Sequence, residues 1–97
     1  MAVGDTLWFG PSSVANNAFL DLQPSGTVEV SVNNIAHAGS CELYAYDGTN
    51  DAGPASLVGT GVETNLALHC TNAKRYRVKN VSGGSIIISA EGITTHV

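Results

Sequence analysis

Charge is what this sequence has least of. Of its 97 residues four are Lys or Arg and eight are Asp or Glu, so only 12% are charged, about half the usual share. Solubility therefore rests on Ser, Thr, Asn and Gly. Burying a hydroxyl or an amide against a partner costs far less than burying an unpaired ion, so a surface of this kind suits lasting contacts. The formal net charge of −4 leaves no excess of cations to neutralise phosphates, which argues against a nucleic-acid partner.

Other absences exclude further classes. No apolar run is long enough to span a bilayer. The opening Met-Ala-Val-Gly-Asp has no basic start followed by an apolar stretch, so neither a secretory leader nor a membrane partner is expected. The two cysteines, Cys41 and Cys70, are too few for a disulfide framework. They read as small buried apolar side chains, the alternative being one disulfide between them. His37, His69 and His96 have no paired spacing, and the adjacent His69 and Cys70 should point to opposite faces of a strand, which does not make a zinc site. Asp47, Asn50 and Asp51 share a loop without the spacing of an EF-hand, so no metal and no cofactor are expected. There is no Gly-x-Ser-x-Gly elbow, no recognisable Cys and His setting and no phosphate-cradling Gly motif. The eleven glycines are spread as turn punctuation, and no enzyme is expected.

What is present is a two-residue rhythm, the signature of strands. Residues 27–33 (Thr-Val-Glu-Val-Ser-Val-Asn) put Val28, Val30 and Val32 on one face and Glu29 and Ser31 on the other. Residues 40–46 repeat this with Cys41, Leu43 and Ala45 inward and Glu42, Tyr44 and Tyr46 outward. Residues 65–70 turn Leu66, Leu68 and Cys70 inward, and residues 74–80 set Tyr76 and Val78 against Arg75, Arg77 and Lys79. Ser82-Gly83-Gly84-Ser85 predicts a reversal that makes residues 74–80 and 86–90 a hairpin, with the inward face of Ile86, Ile87 and Ile88 ambiguous. Residues 47–54 read as a long polar loop, followed by a short strand at 55–58. Residues 1–17 read as an arm or edge strand. The whole, residues 1–97, predicts a single all-β domain: a small antiparallel β-sandwich of about seven strands, with a small β-barrel as the alternative.

Two features carry a partner-binding expectation. All four cations, Lys74, Arg75, Arg77 and Lys79, fall within one strand, where a row of like charges requires an acidic answer from a partner protein or from acids such as Glu29 or Glu42 on neighbouring strands. Leu7, Trp8 and Phe9 form an apolar cluster near the N-terminus that clasps a neighbour or caps its own sandwich. Tyr44 and Tyr46, outward on one strand, are the residues a sugar ring could stack on.

Residues 76–85 (Tyr-Arg-Val-Lys-Asn-Val-Ser-Gly-Gly-Ser), followed by 86–92, resemble the last hairpin of immunoglobulin-like or fibronectin type III-like sandwiches. Tyr44 stands where antibody domains carry a core Trp, so immune-type recognition is not implied. In its low charge and its Ser/Thr/Asn/Gly-rich strands the chain is similar to small bacteriophage virion accessory proteins such as capsid decoration proteins. That resemblance implies a non-enzymatic viral structural protein, made in the host cytoplasm and located in the virion. Such a protein decorates or cements a capsid lattice as a homo-oligomer and contacts the major capsid or another virion protein. The alternative is a carbohydrate or cell-surface binding module on a viral tail or fibre.

Overall fold

Nine strands and no helix make up the computed structural model, which describes residues 1–97. In chain order they are β1 (Thr6–Val14), β2 (Phe19–Asp21), β3 (Glu29–Ala38), β4 (Cys41–Tyr46), β5 (Asp51–Leu57), β6 (Thr60–Glu63), β7 (Leu68–Cys70), β8 (Arg75–Asn80) and β9 (Ile86–His96). They form two antiparallel sheets. The first runs β1-β9-β3-β6, with β7 also paired to β3, and the second runs β2-β8-β4-β5. The all-β sandwich is therefore as expected, with nine strands in place of about seven.

The alternation decides which side chains fill the space between the sheets. Val30, Val32, Ile35, Ile88, Ala90 and Val14 enter it from the first sheet, and Cys41, Leu57 and Val78 from the second. In β3 a register shift between Val32 and Asn34 resets the phase, so that Ile35 and His37 are buried after it as Val30 and Val32 are before it. Leu7, Phe9, Leu43, Leu68 and Tyr76 pack around this centre, half-buried. Cys41 and Cys70 are free and buried, and burial pushes both thiols up.

The strand order has a simple logic. The antiparallel pairs β1–β9, β2–β8, β3–β6 and β4–β5 are nested one within the next, and successive pairs alternate between the sheets. A long hairpin rolled up in this way is a jelly roll, with β7 as an addition on the edge. Consequently β8 and β9 do not make the hairpin expected of residues 74–90. They lie in different sheets, and residues 81–85, between the two strands that carried the immunoglobulin-like resemblance, form an arch from one sheet to the other. The arch is held by Asn80, whose side chain is fully buried. Its Nδ2 donates to the carbonyls of Val14, 2.8 Å, and Gly84, 2.7 Å, while its Oδ1 accepts from the Ser82 N–H at 2.9 Å. One amide thus fastens the end of β8 to the end of β1 across the sandwich.

Candidate interaction surfaces

On the outer face of the second sheet the alternation of β8 sets Arg75, Arg77 and Lys79 beside the side chains of β2 and β4. Two of these cations are answered inside the sheet. Arg75 donates from Nε and Nη2 to both carboxylate oxygens of Asp21, at 2.7 and 3.0 Å, and from Nη1 to the Asn72 carbonyl. Arg77 donates to both oxygens of Asp51, at 2.9 and 2.7 Å, and its guanidinium carbon lies 3.8 Å from the centroids of both the Phe19 and Tyr46 rings. Those hydrogen bonds push both guanidinium pKa values further up, and the one from Arg77 holds the Asp51 carboxyl below its ordinary range. The acids that answer are Asp21 and Asp51, not Glu29 or Glu42. Glu29 stands on the first sheet facing His69, 3.0 Å away, and Glu42 accepts from the Tyr44 hydroxyl at 2.8 Å. Lys74 and Lys79 have no carboxylate partner.

Tyr44 and Tyr46 are half-buried, and their rings are engaged within the sheet. Tyr44 meets Phe19 edge-on at 6.0 Å between centroids, and Tyr46 carries Arg75 and Arg77 against its ring. Beside Tyr46 the end of the sandwich opens into a trough of about 310 Å³, where Tyr46 and Tyr76 stand near Asp47, Asn50, Lys74 and His69. Asp47 accepts from the N–H groups of Asn50 and Thr49, which hold its carboxyl below the ordinary range. The trough therefore combines two aromatic edges with fixed polar groups.

The outer face of the first sheet is different in kind. Leu7 and Phe9 turn inward against the core, while Trp8 between them turns outward and is 55% exposed. Strand pairing sets Trp8 directly across from Glu91, which sits across from Asn34 on β3, and sets Ala36 across from both Ser89 and Val62. Small side chains thus floor two adjoining hollows that share Ala36, Val62 and Ser89, one bordered by Trp8 and the other by Ile87, with Val62 61% and Ile87 51% exposed. No Lys or Arg stands on any strand of this sheet, whereas Glu29, Glu63 and Glu91 do. On the strands of the second sheet Arg75, Arg77 and Lys79 balance Asp21, Glu42 and Asp51. The negative charge of the strands therefore lies on the first sheet.

Trp8 was visible in the sequence as a candidate, but Val62, Ile87, Ala36 and Glu91 were not. The available signal was the run of three isoleucines: consecutive strand residues alternate faces, so one of Ile86, Ile87 and Ile88 had to point outward, and it is Ile87. Among titratable side chains, no group of three or more His, Cys, Asp or Glu converges as metal ligands would. The chain matches no protein-family model, and no curated protein is significantly similar to it.

Proposed function

We propose that this chain is a non-enzymatic structural protein that docks the outer face of its first sheet on a larger protein assembly. The observation that carries the reading is the grouping of Trp8, Val62 and Ile87, all more than half exposed, on one sheet face free of cations. A large exposed aromatic beside branched aliphatic side chains on a floor of small residues is the composition of an interface centre rather than of a solvated surface. The setting we infer is a virion, in which many copies decorate or cement a capsid lattice and contact the major capsid or another virion protein. The compositional resemblance to phage decoration proteins supports it, as does the jelly-roll strand order, which recurs in viral capsid domains. Copies held side by side as a homo-oligomer would gain avidity from the lattice, so that no single contact need be large.

The test is to isolate the assembly that carries the chain and to determine its mass and symmetry, with the parent chain and with Trp8→Ser. The expected result is a copy number fixed by lattice symmetry and loss of the Trp8→Ser chain from the particle while it remains folded by circular dichroism. A parent chain that is a free monomer in its native setting, or a Trp8→Ser chain incorporated as fully as the parent, overturns the reading.

A second reading, a glycan or cell-surface binding module on a viral tail or fibre, draws support from the trough in which Tyr46 and Tyr76 adjoin Asp47 and Asn50, and jelly rolls also occur among lectin domains. A glycan array probed with the intact protein tests it. Binding abolished by Asn50→Ala supports this reading, and a blank array removes it.

A further inference from the structure

Arg77 shows what a guanidinium finds on a sheet face of this protein: aromatic rings 3.8 Å away and a carboxylate gripping its edge. The outer face of the first sheet holds the same components and no guanidinium. Trp8 and Glu91 are direct cross-strand partners, so both project from the same face, and both line a cleft of about 320 Å³ floored by Ala36 and Ser89. Glu91 is half-buried there. Its Oε1 accepts from Asn34 Nδ2 at 2.8 Å, which fixes the carboxylate without neutralising it. A half-buried anion held by a neutral amide beside an exposed indole is one side of an ion pair.

We propose that this face receives an arginine from a partner protein, the guanidinium lying against the Trp8 indole and donating to the Glu91 carboxylate, with apolar neighbours of that arginine over Ala36 and Val62. The inference rests on the docking reading above and adds the chemistry of the partner: an apolar patch bearing a cation. Charge complementarity selects that occupant: no Lys or Arg stands on the strands of this sheet, Glu29 and Glu63 are bonded to His69 and His37, and Glu91 is left on this face with only a neutral amide. Opposite charges across an interface fix register and exclude wrong partners. Arginine fits better than lysine because its planar fork can grip a carboxylate and lie flat on a ring at once. The partner is a different chain. Both arginines of this protein are already gripped by Asp21 and Asp51, and two copies pressed together by this face would bring carboxylate to carboxylate.

Trp8 is the only tryptophan of the chain, so its indole N–H resonance and fluorescence report on this site alone. The probe is the acetylated and amidated pentapeptide Leu-Ala-Arg-Ala-Leu, titrated into the full chain beside its citrulline and lysine counterparts. The expected result is a shift of the Trp8 signal with at least tenfold tighter binding of the arginine peptide than of the citrulline one, the lysine peptide falling between. Glu91→Gln should remove most of that preference. Equal binding of the arginine and citrulline peptides overturns the inference without involving any variant, and leaves the docking face itself to stand or fall with Trp8→Ser in the assembly. A Trp8 signal unmoved by any of the peptides overturns it, as does one that shifts with the concentration of the chain alone, which would make a second copy the occupant.

Discussion

Asn80 and Thr94 are both fully buried polar side chains, and only one of them is satisfied. The amide of Asn80 makes three hydrogen bonds that join β8, β1 and the arch to β9, whereas the Thr94 hydroxyl has no partner. Removing a satisfied buried amide strands the groups it served, at roughly 1–3 kcal/mol, while removing an unsatisfied hydroxyl relieves a desolvation cost. The two substitutions should therefore move stability in opposite directions. In urea denaturation Asn80→Ala is expected to lose at least about 2 kcal/mol, and Thr94→Val to gain up to about 1 kcal/mol. A Thr94→Val loss would show that the hydroxyl is served after all. Charge at this scale gives a pH prediction. Asp51 and Asp47 have their carboxyl pKa values lowered in the fold, by the Arg77 hydrogen bond and by the N–H groups of Asn50 and Thr49 respectively. A group with a lowered folded pKa contributes stability above its unfolded value and loses it as the pH falls through the folded one. The contribution of these two carboxyls to the melting temperature should thus be lost below about pH 4. Asp51→Asn should melt lower than the parent at neutral pH, and the two curves should converge in acid.

At the scale of elements, the strands legible in the sequence are those whose two faces differ. Residues 27–33, 40–46 and 74–80 alternate cleanly because one face meets the core and the other solvent, and they became β3, β4 and β8. Only the second half of β5 was legible, as the short strand at 55–58, its first half lying in the polar loop read at 47–54, and β1 was legible as an arm or edge strand without its bounds. Each contains a Gly-Pro step, Gly10-Pro11 and Gly53-Pro54, which counts against a strand by propensity. Both are edge strands, where a proline with no N–H to give faces no neighbour, and the register shifts of both ladders fall at these steps. The residues that disguised the strands also leave gaps in the donor row of their open edges, which protects against pairing with other chains. Gly92 is the opposite case, a glycine inside a central strand. A Cβ there would meet the Ser31 carbonyl oxygen and lie 2.8 Å from Val32 Cα, both backbone atoms of the neighbouring strand that cannot turn aside. Gly92→Ala is expected to force β9 and β3 apart, at the upper end of the ~1–3 kcal/mol typical of overpacking. It should also raise amide exchange along β3. Gly84→Ala, where a Cβ would meet nothing, is the control and should be close to neutral.

The arrangement of the whole molecule is the part the sequence did not disclose. Alternation says which face of a strand is buried, but the hairpin expected of residues 74–90 required knowing which sheet each strand joins. The arch between the two sheets is held by Asn80 reaching Val14, 66 residues away in sequence. Nested pairing also orders the events of folding. The innermost pair, β4–β5, is closed by a short turn in which Asp47 caps Thr49 and Asn50, whereas the outermost pair joins Thr6 to Ile93. Each doubling of a closed loop adds about 0.6 kcal/mol of entropic cost, so the inner hairpin can form early and the β1–β9 closure should come last, each pair resting on the one inside it. Leu57 on β5 and Val14 on β1 are both buried members of the same core and report on the two ends of this sequence. Leu57→Ala should slow refolding, with a φ-value above about 0.5, while Val14→Ala should leave refolding nearly unchanged and speed unfolding, with a φ-value of about 0–0.3. Stopped-flow chevrons of the two variants decide the matter. The reverse pattern would mean that the termini meet first and that the roll closes from the outside inward.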